Sequence, residues 1–298
     1  MNNDIKNKDN DVKKIVPILL DSKHIIDTFY SKSLYKDYNL KLIQCGDYFQ
    51  LYLYENKKTK KILNEPINDL DLRKVNKSNK KTKQDKVKKI EERSIIRSKL
   101  SCQRIAKANM NVWKSFITLT FKDNLKDINT ADKRLKYFLT KIRRVKKDFK
   151  YLGIREFQKR GAIHYHILTN IACDSFIIPK REKKHLYNPN TKQYKDLEYY
   201  DIKYWLDGFS SAEPITDDAK KIVGYISKYM TKDIDQRLFG YRRYFYSKNL
   251  IMPITSYINT TSEKDVDFFT KKIQDKNLIY QNAYYDKFDN KISFLELK

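Results

Sequence analysis

The chain has 298 residues, of which 40% are hydrophobic, enough apolar material for one large packed domain or two small ones. Its formal net charge is +26, from 63 Lys and Arg against 37 Asp and Glu. A surplus of that size repels itself unless the partner is a polyanion, so nucleic acid is the first candidate, an anionic membrane surface the second and a ribosome the third. The longest apolar run, residues 15–20 broken by Pro17, is too short to span a bilayer. No signal-peptide pattern opens the chain, and Cys45, Cys102 and Cys173 are too few and too scattered for a disulfide frame. The expectation is a cytoplasmic protein with no membrane association.

Residues 1–13 are polar and read as loose. Residues 38–54 hold two short alternating runs around Gly46-Asp47, the pattern of a hairpin. Residues 56–83 are rich in Lys and Asn and read as a linker, and 84–110 as a helix. Between Arg73 and Lys89 there are nine basic residues and one acid, Asp85, which reads as a solvated arm or a nucleic-acid contact. Residues 116–121 alternate, which turns Ile117, Leu119 and Phe121 to a core and Thr118 and Thr120 to the opposite face.

A helix is expected over 130–149, with Leu135, Phe138, Leu139, Ile142, Val145 and Phe149 at helical spacing and a basic back that includes Arg143 and Arg144. Residues 151–157 and 163–170 read as a hairpin around Lys159-Arg160-Gly161-Ala162. Residues 176–200 look polar and irregular, 217–233 a short helix, and 241–246 and 291–297 strands. The order is that of an α+β fold with a mostly antiparallel sheet.

Two of the four histidines are His164 and His166. Period-two spacing puts both rings on one face of a strand and Tyr165 on the other. With the loop at 160–162, Glu156 falls opposite His166 and Gln158 opposite His164, all on that face. Two imidazoles and a carboxylate leave coordination positions open for substrate and water, the layout of a catalytic ion. By itself a His-x-His pair is also compatible with a polar surface stripe.

The segment 222–232 is the second signal. Ile222, Val223, Ile226 and Met230 form one helical stripe, and Tyr225, Lys228, Tyr229 and Lys232 another beside it. A phenol with a pKa near 10 is a weak nucleophile; an adjacent ammonium stabilises its phenolate and holds a phosphate. Tyr-x-x-Lys also occurs at Tyr38/Lys41 and Tyr54/Lys57, so a single copy carries no information.

Together these segments resemble the three motifs of the HUH endonucleases that initiate rolling-circle replication: 116–121 (FITLTF) the first, His164-Tyr165-His166 with its preceding Lys159–Ile163 the second, and 225–232 (YISKYMTK) the third. The paired tyrosines resemble the two-tyrosine initiators of single-stranded DNA phages, and Glu156 stands where related viral initiators carry a third ligand. The resemblance covers roughly residues 110–260.

It implies an HUH/RRM-like palm, a central antiparallel sheet of about five strands flanked by helices, over 101–265, with a basic N-terminal extension at 1–100 and a closing helix and strand at 266–298. It implies a metal-dependent, site-specific single-stranded DNA endonuclease and strand transferase. In that reading Tyr225 and Tyr229 act as nucleophiles beside Lys228 and Lys232. His164, His166 and Glu156 hold Mg²⁺ or Mn²⁺, and Thr118, Thr120, Arg143, Arg144, Lys159 and Arg160 contact DNA. The implied partners are a single-stranded origin of a phage or plasmid and the host's helicase and DNA polymerase. No Gly is followed by Lys, so no P-loop and no bound ATP are expected. The rival readings are a transposase or relaxase of the same superfamily, a basic nucleic-acid-binding protein without catalysis, and a metal hydrolase. A relaxase usually adds a third clustered histidine, for which His24 and His185 are too isolated.

Overall fold

The computed structural model describes residues 35–61, 80–158, 160–188, 193–215, 238, 241–286 and 288–298. By its contacts the chain divides into two units, 79–251 and a second made of 1–78 with 252–298. These boundaries differ from the 1–100, 101–265 and 266–298 division expected from sequence. Among the described residues all strand pairs are antiparallel, in two sheets accompanied by helices, an α+β fold.

In the unit 79–251, helix α1 (Lys80–Ala108) is followed by a single 3₁₀ turn (Met110–Val112), strand β3 (Ser115–Phe121), helix α2 (Ile128–Val145) and strands β4 (Tyr151–Phe157), β5 (Ile163–Thr169), β6 (Lys180–Asn188), β7 (Gln193–Tyr200), β8 (Gly208–Pro214) and β9 (Tyr244–Tyr246). The sheet order is β6-β7-β8-β3-β5-β4-β9. Five strands, β8 to β9, form the continuous centre. The β6–β7 hairpin joins it through one register pair, Tyr200 with Ala212. This hairpin corrects the expectation of an irregular 176–200. Its sequence is charged on both faces, so it shows no apolar alternation to read.

Helix α2 packs on one face of this sheet. Asp127 caps it by accepting from the Thr130 amide at 2.8 Å, and Ile128, Ala131, Leu135, Phe138, Leu139 and Ile142 are buried at turn spacing. They meet Ile117, Leu119, Phe121, Tyr165 and Ile167. The helix ends earlier than expected, leaving Val145 exposed, while Phe149 reaches the core from the following turn. On the other face Cys102, Ile105 and Ala106 of α1 pack with Trp113, Phe116, Leu152, Ile154 and Leu168. Trp113 Nε1 donates to the Ala106 carbonyl at 2.9 Å, and Asn109 Nδ2 to the carbonyls of Ile105 and Ile251 at 2.9 and 2.8 Å, which fasten the end of α1 to the sheet.

Gly208 opens β8 so close to β3 that a Cβ would collide with the Thr120 carbonyl oxygen and the Lys122 amide. Both are backbone atoms and cannot rotate away. Gly208→Ala is therefore expected to lower stability by about 1–3 kcal/mol through forced displacement of β8, read as a falling midpoint in thermal unfolding. An unchanged midpoint would mean that β8 is not held as described.

The other unit holds strands β1 (Tyr35–Cys45), β2 (Tyr48–Lys61), β10 (Ile254–Ile258), β11 (Leu278–Tyr285) and β12 (Lys291–Leu297), and helix α3 (Glu263–Ile273). Their order is β10-β1-β2-β12-β11. The expected hairpin is formed by β1 and β2, with Cys45 paired to Tyr48 and Gly46 at φ 62°, a left-handed value that suits a two-residue turn. The linker expected over 56–83 is partly ordered: β2 runs to Lys61 and α1 starts at Lys80. Phe269 and Ile273 of α3 share a core with Leu40, Leu42, Phe49, Leu51, Ile258, Leu295 and Leu297. No helix among the described residues is long and apolar enough to cross a membrane.

Candidate active site

The strands β3 and β5 lie side by side in the centre of the larger sheet, and their alternation sorts side chains between its faces. The face away from α2 carries two cross-strand rows set by the register. One runs Ser211, Thr118, His166, Ile154, and the other Phe209, Thr120, His164, Glu156. The apolar cluster under α1 occupies the same face immediately alongside, at Phe116, Leu152, Ile154 and Leu168. The functional row therefore begins where the apolar packing stops.

His166 is buried and held from three directions. Its Nε2 is 2.7 Å from Glu156 Oε2, its Nδ1 is 3.1 Å from Thr118 Oγ1, and the Phe116 ring lies parallel to it at 5.7 Å between centroids, 9° between planes. A carboxylate only accepts, so Nε2 carries the proton toward Glu156 and a neutral ring takes the Thr118 hydroxyl proton at Nδ1. His164 is also buried, its ring centroid 6.4 Å from that of His166 with planes 53° apart. Among the described residues no three His, Cys, Asp or Glu side chains are gathered as an ion-holding group. Glu156 and His166 are brought together, and His164 stands beside them on the same face. The donor chemistry fits a divalent ion nonetheless: the proton shared by His166 and Glu156 sits where a cation would replace it, and Thr118 would then accept from Nδ1 and fix the ring.

The pairing differs from the expected register by two residues. Glu156 is the partner of His164, and Ile154 that of His166; Glu156 reaches His166 on the diagonal. The cause is the turn. Gln158 N donates to Ala162 O and Gly161 N to Gln158 O, both at 2.8 Å, with Gly161 at φ 88°, so the loop already begins at Gln158. Gln158 thus leaves the row, and its Oε1 accepts from Arg160 Nε at 2.8 Å.

Of the expected DNA contacts, Thr118 is engaged with His166, Thr120 sits beside His164 in register, and Arg144 and Arg160 are exposed. Arg143 belongs to the opposite face, where its Nη2 donates to the Tyr151 hydroxyl at 2.6 Å. Lys159, and the whole segment of Tyr225, Lys228, Tyr229 and Lys232, lie outside the described residues.

Two features of this unit have little trace in the sequence. Phe209 shares the histidine face yet is 72% exposed, although it follows the clamped Gly208. On the α2 side, Arg155 donates to both carboxylate oxygens of Asp132 at 2.6 and 2.7 Å and to the Arg242 carbonyl at 2.7 Å, and the Tyr165 hydroxyl donates to Asp132 at 2.7 Å. Burial, then the Asp132 charge, pushes the Tyr165 phenol far up, so it remains neutral. The one cue in the sequence is Arg155 at an inward-facing strand position. Asp132 and Arg155 border a cleft of about 290 Å³ with Lys136, Thr140, Arg143 and Tyr151.

Residues 114–234 match the family described as replication-associated protein ORF2. That span holds β3, α2, β4, β5 and the tyrosine segment. The chain is also similar to the phasyl DNA replicon protein arp of Escherichia coli, 28% identical over 154 residues, 48% of this chain and 54% of the relative. The match thus spans about half the length of that relative. No solved structure matches the chain.

Proposed function

We propose that this protein initiates replication of a small phage or plasmid element by nicking and rejoining single-stranded DNA at an origin. The observation that carries the reading is the assembled Glu156–His166–Thr118 group on the central strands, with His164 alongside, inside the segment similar to replication-associated proteins. His164, His166 and Glu156 would hold Mg²⁺ or Mn²⁺, which when bound supplies Lewis-acid polarisation of the scissile phosphate.

The phenol of Tyr225 or Tyr229 attacks phosphorus and gives up its proton. The bond from phosphorus to the 3′ oxygen breaks, and that oxygen takes a proton to become a free 3′-OH, while the 5′ phosphate stays esterified to the tyrosine. Lys228 or Lys232 stabilises the phenolate and the phosphate charge. Phosphodiester energy is kept in the ester, so rejoining requires no ATP. The second tyrosine cuts a regenerated origin, and the freed 3′-OH then displaces the first tyrosine and closes a circle. Exposed Phe209 offers a ring for an unpaired base beside the site. Host helicase and DNA polymerase open the duplex and extend the 3′ end.

The test is cleavage of labelled single-stranded oligonucleotides tiling the element's own sequence, with Mn²⁺ or EDTA, on a denaturing gel. A nick dependent on metal is expected, abolished by Tyr225→Phe with Tyr229→Phe together. Binding without a nick on any origin-containing strand would leave a basic nucleic-acid-binding protein without catalysis.

A further inference from the structure

The smaller sheet turns Leu40, Leu42, Phe49, Leu51, Leu295 and Leu297 to its core with α3. Alternation sends Tyr52, Tyr54, Tyr257, Tyr280, Tyr284 and Phe294 to the opposite face, where register places Tyr52 beside Phe294 and Lys41 between Tyr52 and Tyr257. The rings there are half-buried or exposed, with Tyr280 50% and Tyr284 44% accessible. They contact mainly one another. Tyr38 meets Tyr257 and Tyr54 edge-on at 4.7 and 5.7 Å, and Tyr52 meets Phe294 at 5.0 Å.

Lysines stand over the same rings. Lys60 Nζ is 3.9 Å from the Tyr257 centroid, Lys41 Nζ is 5.8 and 5.9 Å from those of Tyr52 and Tyr257, and Lys58 Nζ is 5.7 Å from that of Tyr54. Burial and neighbouring phenols push the hydroxyls of Tyr38 and Tyr54 upward, so the rings stay uncharged at neutral pH.

We propose that this aromatic and lysine-bearing sheet face is a second binding surface, for single-stranded DNA. Flat apolar rings on an accessible sheet face bind unpaired bases by stacking, and ammonium groups at their rims take the phosphates. Duplex DNA offers no free base faces to such a surface. A protein partner would have to desolvate the three lysines against the rings without a paired acid. The face lies in a different unit from the histidines, and the family match ends at residue 234, before β10, β11 and β12. It therefore does not depend on the catalytic reading. In an initiator it would retain the displaced strand.

The full chain is tested in EDTA and about 300 mM salt, where phosphate contacts alone are strongly weakened. The readouts are anisotropy of oligo-dT and fluorescence of a 2-aminopurine base within it. Tyr54→Leu with Tyr257→Leu should weaken oligo-dT binding about tenfold or more and restore 2-aminopurine fluorescence, while the corresponding Phe pair stays within about twofold. If the Leu pair fails to fold, Lys60→Glu alone, at an exposed position, should weaken binding at least threefold. Wild-type affinity in a folded Leu pair, or in Lys60→Glu, would overturn the proposal. So would tighter binding of oligo-U than oligo-dT, or a dimer in sedimentation that dissociates in the Leu pair. Nicking of a short origin oligonucleotide by the Leu pair separates failure here from failure of the active site.

Discussion

Alanine at His166 is expected to reduce strand cleavage by on the order of a thousandfold or more, while DNA affinity changes little. His166 is the best-held member of the group: Glu156 on Nε2, Thr118 on Nδ1 and Phe116 against the ring face. Removing it deletes a proposed ligand and leaves the Glu156 carboxylate without this partner. Thr118→Val, which keeps the shape and removes only the hydroxyl, should cost about 10–100-fold, the usual effect of losing a residue that orients a metal-bound imidazole. Single-turnover cleavage at saturating DNA measures both. Equal, small losses in the two variants would mean that His166 is a packed polar residue of the sheet. Because its neighbour Phe116 belongs to the apolar cluster, thermal unfolding of His166→Ala must accompany the kinetics.

The largest stability effect is expected on the other side of the sheet. Arg155, with 6% of its side chain exposed, directs its guanidinium at Asp132 and the Arg242 carbonyl. Asp132→Ala leaves this buried charge with the carbonyl alone and removes the acceptor of the Tyr165 hydroxyl. Breaking a buried pair by removing one partner costs about 3–5 kcal/mol. Asp132 is itself 38% exposed, so water reaches the vacated place and the lower end, about 3 kcal/mol, applies. For a unit of this size that lowers the unfolding midpoint by about 6–12 °C. Removal of Asp148, whose bridge to Lys146 lies at the surface, should leave the midpoint unchanged. Similar midpoints for Asp132→Ala and Asp148→Ala would show that the Asp132–Arg155 pair contributes no more than a surface bridge.

Much of the larger sheet is legible in the sequence because its strands are one-sided. Ile117, Leu119 and Phe121 alternate with Thr118 and Thr120, and α2 repeats its apolar residues at turn spacing, so both elements declare their buried face. The segregation of His164 and His166 from Tyr165 follows from the period of a strand alone. The β6–β7 hairpin is illegible because its charged residues fall on both faces, and β8 because its sequence GFSSAEP mixes small, polar and aromatic residues. Register departs from expectation for a local reason: a turn that starts at Gln158 is one hydrogen-bonded loop longer than the Gly161-centred loop suggests, and two residues of slip move Glu156 from His166 to His164.

The smaller sheet pairs β2 with β12 and β1 with β10, strands more than 190 residues apart in the chain. No local pattern announces such a pairing, so the N-terminal and C-terminal segments read as separate pieces. The Asp132–Arg155–Tyr165 network is likewise set by tertiary approach, since helix and strand positions with no fixed spacing in sequence supply it.

The central claim is that a tyrosine of the segment 225–229 becomes covalently joined to DNA. The direct measurement is to incubate the full chain with origin single strand and Mn²⁺, denature, digest with protease and nuclease, and sequence the nucleotide-bearing peptide by mass spectrometry. The expected product is a 5′-phosphate ester on Tyr225 or Tyr229, absent from the double Phe variant. An adduct on any other residue, or cleaved DNA with no adduct at all, would contradict it.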